Sequence, residues 1–205
     1  MRVHRRRFLH GAAALAAVGV AAPTRAADIG AAAPGFAATD TAGRRFTLDG
    51  LRGRIVVLEW SNPLCPFAGK HYASGGMQAL QDETVAAGGA WFTLFSTPPD
   101  TIGYASELEA EAITEQRKAR PTGILLDHDT SLARLFGARA TPHLFVVARD
   151  GTLAYAGGMD SIASVRIEDI ERATPYARDA LRAVIAGRPV EFATTRPYGC
   201  PIKYL

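Results

Sequence analysis

Cysteine is scarce in this chain of 205 residues, which contains only Cys65 and Cys200. Two cysteines are too few for a small scaffold that several disulfide bonds hold together. A chain of this length can bury a full hydrophobic core, so it does not need disulfides in order to fold. Both cysteines are therefore candidates for chemistry, and a single structural disulfide between them is the alternative.

The sequence also lacks an apolar run long enough to span a bilayer. Its N-terminal run, which ends at Ala22, covers about 15 residues, whereas a membrane span takes roughly 20. Three arginines ending at Arg7 precede it, and small residues follow near Ala26. This order predicts an export signal over residues 1–26 and a periplasmic or otherwise exported protein. The order Arg-Arg-x-Phe-Leu resembles the twin-arginine type, with an ordinary secretory signal or an uncleaved anchor as alternatives.

Without such a signal, the chain has no excess of positive charge. The first 26 residues hold five of the 23 basic residues and none of the 20 acidic ones, which leaves 18 against 20 and a net charge of −2. We therefore expect no nucleic-acid partner. We also expect that the protein is not an integral membrane protein once the signal is removed. We expect one domain over residues 27–190 and a C-terminal tail, residues 191–205, that carries Cys200.

Buried apolar runs alternate with amphipathic segments along the chain, which predicts an α/β fold. The predicted strands span 54–60, 90–96, 123–127, 143–148 and 152–157, and two further short strands flank a turn at 41–43. The predicted helices span 66–88, 101–120, 131–137 and 175–187. The last two long strands flank Arg149-Asp150-Gly151, a hairpin signal. This order predicts a central mixed sheet flanked by helices on both faces.

Cys65 lies where a predicted buried strand passes into a predicted helix that begins near Pro66. The free backbone amides and the dipole of a helix N-terminus favour an anion, so the pKa of a cysteine there is commonly lowered. The thiolate is the attacking form in disulfide exchange and in peroxide reduction. The position therefore makes Cys65 a candidate nucleophile.

Glu59 interrupts the apolar run IVVLEW six residues before Cys65. A carboxylate is costly to bury unless it is partnered or protonated. Two interpretations stay open. Glu59 is either a strand-end acid that is exposed or salt-bridged, or a buried acid with a raised pKa that carries protons to and from the thiol.

Three segments together resemble one family: EWSNPLCPFAGKHY, GARATPHLFVVARDGTLAYAGGMDS and TTRPYGCPIKY. They are similar to the peroxiredoxin-like, AhpC/TSA-related branch of the redoxins, over most of residues 30–205. The resemblance implies a thioredoxin-like three-layer fold, a peroxide or an oxidised protein as substrate, and an external thiol or disulfide reductant. It also implies that Cys65 is the nucleophile, that Pro142 is a cis-proline facing its sulfur, and that Glu59 is the buried acid. No motif for an organic cofactor is visible.

The sequence departs from the family pattern at several positions. Ala68 stands where a C-x-x-C pair has its second cysteine, which excludes a dithiol cycle within one motif. Leu58 and Asn62 replace the proline and the Thr or Ser of the usual peroxiredoxin motif, and Thr-Pro-His replaces a strand that usually carries an arginine. The usual peroxide-binding constellation is therefore incomplete. We expect Asn62, Pro66, Thr141 and Pro142 to contact substrate around Cys65.

Cys200 follows the last predicted helix by 13 residues. Such a segment could extend ~43 Å, enough to reach Cys65 across the domain. We expect Cys200 to be the resolving thiol, with Tyr198 and Tyr204 either docking the tail or simply packing the chain end. A copper-binding metallochaperone that uses Cys65, Cys200 and His143 is an alternative, since thiolate and imidazole suit Cu(I).

Overall fold

The computed structural model describes residues 27–205, so the predicted export signal lies outside the described residues. The strands in this range are β1 (Ala37–Thr39), β2 (Arg45–Thr47), β3 (Val56–Ser61), β4 (Ala90–Phe95), β5 (Gly123–Leu126), β6 (Ala140–Thr141), β7 (His143–Val147), β8 (Leu153–Gly157) and β9 (Cys200–Pro201). The α-helices are α1 (Pro66–Ala73), α2 (Gly76–Ala86), α3 (Glu107–Gln116), α4 (Ser131–Phe136) and α5 (Tyr176–Ile185), and short 3-10 helices span Asp49–Leu51 and Ile167–Arg172.

The central sheet has the strand order β5-β4-β3-β7-β8. Strand β3 is parallel to β4 and antiparallel to β7, so the sheet is mixed. Every residue of β3 and β4 is buried, which explains why these two central strands read as continuous apolar runs. Outside this sheet, β1 pairs with β2 and β6 pairs with β9. The predicted α/β fold with a central mixed sheet flanked by helices is confirmed.

Side chains of β3 alternate between two cores, one on each face of the sheet. Leu58 and Trp60 pack on one face with aromatic residues that include Phe136 of α4. Val57 packs on the opposite face, where the core includes Met77 of α2 and Leu181 of α5. Glu59 also lies on this second face, where it contacts Tyr72 of α1.

Two predicted helices differ from the observed ones. The helix expected over 66–88 is two helices, because the chain turns at Gly75, which has a left-handed φ of 76° that glycine adopts without strain. The helix expected from 101 begins only at Glu107, where Ser106 and Glu109 form a reciprocal capping box, and it ends at Gln116. Both predicted boundaries were wrong because local caps and turns interrupt the amphipathic pattern.

The C-terminal tail is less irregular than its sequence indicates. Cys200 and Pro201 form β9, which pairs antiparallel with Ala140 and Thr141 of β6. Neither two-residue strand was predicted, because so short a segment has no periodicity to detect. No helix among residues 27–205 is both long enough and apolar enough to cross a membrane.

Gly89, just before β4, lies against the backbone of two neighbouring elements. A Cβ added there would lie 2.8 Å from the carbonyl oxygens of Ile55 and Thr84. We expect Gly89→Ala to lower the free energy of unfolding by about 1–3 kcal/mol, because backbone atoms must move to accommodate the methyl group. Urea unfolding measures the change, with Gly35→Ala as control since a Cβ at Gly35 has no neighbour within 4 Å. Equal stability of the two variants would contradict this packing.

Candidate active site

Cys65 is the N-cap residue of α1, directly after the turn that follows β3. Its backbone has an extended conformation, φ −78° and ψ 113°, and Pro66 occupies the first position of the helix. Asn62 shapes the turn, since its side-chain oxygen accepts from the amide of Leu64 at 2.8 Å and its carbonyl accepts from the amide of Cys65 at 3.2 Å. The predicted position of Cys65 at a strand-to-helix junction is confirmed, and its side chain is only 1% exposed.

Thr141 covers Cys65 from the opposite strand. The Cys65 thiol donates to the carbonyl oxygen of Thr141, with Sγ and O separated by 2.9 Å. The peptide bond between Thr141 and Pro142 is cis, as the family resemblance implied. The register of the sheet explains why Thr141 lies beside Cys65, because Trp60 of β3 pairs with His143 of β7. The residues that follow β3 therefore lie beside those that precede β7.

The tail brings Cys200 to the same place. Cys200 pairs with Thr141 across β6 and β9, and Ile202 donates to the Arg139 carbonyl at 3.1 Å one step along the same edge. Cys65 and Cys200 therefore both lie against Thr141, and each thiol shifts the pKa of the other. Both cysteines are free thiols in the structure. Residues 135 positions apart in sequence are thus neighbours.

The two thiols differ in acidity. Burial acts to raise the pKa of Cys65, but hydrogen bonds from the Cys200 and Thr141 side chains and from the amides of Ala68 and Cys200 outweigh it, so this pKa is lowered. Burial, the hydrogen bond to Cys65 and the charge on Cys65 raise the pKa of Cys200 to about 12. Cys65 therefore ionises first, and Cys200 remains a protonated donor to its thiolate.

Glu59 is fully buried and surrounded by neutral donors. It accepts hydrogen bonds from the Tyr72 hydroxyl at 2.7 and 2.8 Å, from Trp91 Nε1 at 3.0 Å and from Thr93 Oγ1 at 3.1 Å. Burial raises the pKa of Glu59 and outweighs these bonds and the charge of Arg117, all of which lower it. The interpretation of Glu59 as an exposed or salt-bridged acid was wrong. A role in proton transfer stays a prediction.

Arg117 supports the turn before Cys65, which the sequence did not indicate. Its Nη2 donates to the carbonyls of Asn62 at 3.0 Å and Pro63 at 3.1 Å, and its Nη1 donates to Ser61 Oγ at 3.3 Å. Its guanidinium lies 4.6 Å from the ring centroid of Tyr72. Because α3 reads as a charged surface helix, nothing in its pattern distinguishes the arginine at its end.

Grooves open on both sides of the cysteine pair. The groove on the Cys65 side is lined by Pro66, Tyr72 and Arg117 among others. The groove on the Cys200 side is lined by residues of four segments, among them Asn62, Leu64, Ile102, Thr141, Ile202 and Lys203. Three of the residues expected to contact substrate thus line a groove, whereas Pro142 is buried and lines neither.

His143 does not join the two cysteines. Its Nδ1 accepts from the amide of Arg139 at 3.2 Å, and its ring packs 4.3 Å from the ring centroid of Phe145. Burial, together with the charge of Arg139, lowers the pKa of His143 to about 3. In the part of the chain that the structure describes, no cluster of three His, Cys, Asp or Glu residues could hold a metal ion. The three-residue copper site was therefore a wrong prediction.

Residues 29–156 match the AhpC/TSA family. The chain belongs to this family. No curated protein matches the sequence. Among solved structures, a hypothetical protein from Sinorhizobium meliloti 1021 is 22% identical with a TM-score of 0.72, and the alignment covers 88% of this chain and 97% of that one.

Two further solved structures are similar to this AhpC/TSA protein. An uncharacterised conserved protein from Geobacillus kaustophilus is 24% identical with a TM-score of 0.71, and the alignment covers 87% of this chain and 93% of that one. A protein described as thiol:disulfide interchange protein DsbE from Chlorobium tepidum is 20% identical with a TM-score of 0.58, covering 78% and 99%. At these identities the likeness shows the fold, which is thioredoxin-like.

The raised pKa of Glu59 has a consequence for stability. Below its ordinary pKa of 4.5 the carboxyl is neutral in both the folded and unfolded states and adds no pH dependence. As pH rises from there through the raised folded pKa, ionisation favours the unfolded state, so stability falls by about 1.4 kcal/mol per unit of difference in pKa. The lowered pKa of His143 makes stability rise with pH over part of the same range, equally in wild type and in a Glu59 variant. We therefore expect urea unfolding between pH 4 and pH 8 to show the fall as a difference, with wild type losing stability relative to Glu59→Gln as pH rises.

The exposed Glu111 provides the matched control for this measurement. Glu111→Gln removes the same charge from the surface of α3 and should keep the wild-type pH profile. A Glu59→Gln profile parallel to that of wild type would show that Glu59 is ionised at little cost in the folded protein.

Proposed function

We propose that this protein is a thiol-dependent oxidoreductase in which Cys65 attacks an oxidised substrate and Cys200 resolves the intermediate. The observation that carries this proposal is the proximity of two free thiols of unequal acidity, which both lie against Thr141, with one of them at a helix N-terminus. Membership of the AhpC/TSA family supports the same chemistry. The groove beside each sulfur offers a path to the site from either side.

With a disulfide substrate, the reaction takes two exchanges. The Cys65 thiolate attacks one substrate sulfur, which forms a mixed disulfide and releases the other substrate sulfur as a thiolate. The Cys200 sulfur then attacks Cys65, forms the Cys65–Cys200 disulfide and releases the second substrate thiolate. The protons of the two protein thiols end on the two substrate thiols. An external thiol reductant restores the protein.

A peroxide is the second candidate oxidant, because a small molecule reaches a side chain that is 1% exposed with the least rearrangement. Cys65 would become a sulfenic acid with release of an alcohol or water, and Cys200 would condense with it to a disulfide and a water molecule. We favour the disulfide, since the side chain at position 62, where peroxiredoxins have Thr or Ser, is an amide engaged in its own turn. The amide nitrogen of Asn62 also donates to Thr97 Oγ1 at 3.4 Å, so both ends of this side chain are already hydrogen-bonded.

Substitution of each cysteine separates the two steps. We expect Cys65→Ser to lose disulfide reductase activity by more than about 100-fold, because no nucleophile remains. Cys200→Ser should keep the first step and accumulate, at Cys65, a mixed disulfide with oxidised glutathione or a sulfenic acid with peroxide, whereas wild type should form the intramolecular disulfide. Mass spectrometry after reaction with oxidised glutathione or hydrogen peroxide identifies each product, and the faster oxidant defines the substrate class.

The pH dependence of alkylation tests the assignment of the nucleophile. Iodoacetamide should modify Cys65 first, with an apparent pKa below that of an ordinary thiol, in agreement with its lowered pKa. If Cys65 resists every oxidant and alkylating agent until the protein unfolds, the pair is a structural element and the proposed activity is wrong.

We also propose that the protein acts outside the cytosol, on the strength of the predicted signal over residues 1–26. Arg5 and Arg6 occupy the twin-arginine positions of that segment. We expect the double substitution of both by lysine to abolish export, measured by fractionation of cells that express the full chain. Arg2→Lys lies outside the pair and should not change export. Continued export of the double variant would favour an ordinary secretory signal.

A further inference from the structure

A buried ion pair lies close to the cysteine pair. Lys70 of α1 and Asp160, which follows β8, approach to 3.2 Å between Nζ and Oδ2, and their side chains are 0% and 4% exposed. Removing two charges from water is costly and is offset only where each charged atom finds further partners. Lys70 also donates to the carbonyl of Ile162 at 3.4 Å. A pair this deeply buried therefore fixes the elements that carry it.

Tyr198 of the C-terminal tail completes this pair. Its hydroxyl lies 3.0 Å from Lys70 Nζ, donates to Asp160 Oδ1, and lies 3.2 Å from Nε2 of the buried His71. The ring packs edge-on against Phe67 of α1 at 5.8 Å between centroids. Two residues before Cys200, the tail is thus attached to α1, the helix whose N-cap is Cys65.

Tyr198 is the side-chain anchor nearest to Cys200 on the side that precedes it, whereas Tyr204 holds the chain end beyond it. Strand β9 is two residues long, and the Thr141 hydroxyl lies 3.4 Å from the Cys200 carbonyl. The tail approaches β6 so closely that a Cβ at Gly199, whose φ is 131°, would overlap the Thr141 carbonyl oxygen. Without the anchor that precedes it, the segment would spread the Cys200 sulfur over a larger volume and lower its effective concentration at Cys65.

We propose that Lys70, Asp160 and Tyr198 form a tail latch that positions Cys200 at the Cys65 sulfur and so sets the rate of the resolving step. The inference rests on the proposed function and extends it, because it assigns control of that step to residues that do not touch the reacting atoms. Tyr198 is a positioning residue in this scheme. Its hydroxyl bonds to two charged groups, so its loss weakens docking of the tail without unfolding the domain.

The tail latch predicts opposite effects on the two steps. Cys65 is nearly inaccessible while the tail is docked, so release of the latch exposes its sulfur to an external disulfide. The same release removes Cys200 from its position. Release also removes the hydrogen bonds from Cys200 that lower the pKa of Cys65, so the first step is compared above about pH 9.5, where an ordinary thiol is ionised too. There, loss of the latch should leave the first step unchanged or faster and slow the second. A residue with a merely structural role would not produce this split.

Stopped-flow reaction of the reduced protein with 5,5′-dithiobis(2-nitrobenzoate) resolves both steps. Attack by Cys65 forms a mixed disulfide and releases one thionitrobenzoate, at a rate proportional to reagent concentration. Attack by Cys200 on Cys65 then releases the second thionitrobenzoate, at a rate independent of reagent concentration. Cys200→Ser should release one equivalent only, which assigns the two phases.

We expect Tyr198→Phe to slow the concentration-independent phase by about tenfold, because it removes hydrogen bonds to charged partners and keeps the ring against Phe67. Tyr176→Phe is the matched control, since Tyr176 lies on α5 outside the latch and the substitution keeps its ring contact with Phe192. It should change neither phase more than about twofold. Lys70 and Asp160 themselves are poor targets, because the remaining partner would be a buried, unpaired charge.

Gly199→Ala provides a second, independent release of the tail, through backbone overlap rather than lost hydrogen bonds. It should also slow the concentration-independent phase. If wild type releases two equivalents and both variants resolve at the wild-type rate, the tail latch is wrong and the proposed function stands. If wild type releases one equivalent and forms no Cys65–Cys200 disulfide, the proposed function fails, and the latch fails with it.

Discussion

Thr141 is the residue through which the two cysteines meet. Its carbonyl accepts the Cys65 thiol, and its backbone pairs with Cys200 in the short β6–β9 ladder. The first contact follows from the antiparallel register of β3 and β7, which pairs Trp60 with His143, and the second follows from the separate pairing of β6 with β9. That register sets the loop after β3 against the residues before β7. A one-residue slip would turn Thr141 away and would reverse the face of every core side chain of β7. The packed sheet therefore fixes the site.

Helix α1 fixes the same site from the other side, because its residues take part in two buried polar contacts of different kinds. Glu59 is buried among neutral donors, one of them Tyr72 of α1, and its pKa is raised. Lys70 of α1 is buried as a partner of Asp160. Because Lys70, His71 and Tyr72 are consecutive and all buried, the helix that begins at Cys65 is attached to both the sheet and the tail.

The sequence predicts those parts of the site that depend on local pattern. Cys65 could be assigned to a strand-to-helix junction because the strand before it is a continuous apolar run and a proline opens the helix. The contact with Cys200 has no local signal, since it depends on a two-residue strand and on Gly199 fitting against β6. Arg117 could not be distinguished either, because a periodic pattern gives the face of a helix but not the partner of a side chain.

The unequal exposure of the two sulfurs also affects how an external thiol would reduce a Cys65–Cys200 disulfide. Cys200 is half-buried beside one groove, whereas Cys65 is almost completely covered. In a Cys65–Cys200 disulfide, an external thiol would therefore meet the Cys200 sulfur first. Attack there expels Cys65, and the thiol with the lower pKa is the better leaving group. Under the proposed function, the asymmetry that would make Cys65 the attacking thiol would also favour its release as a thiolate, ready for the next substrate.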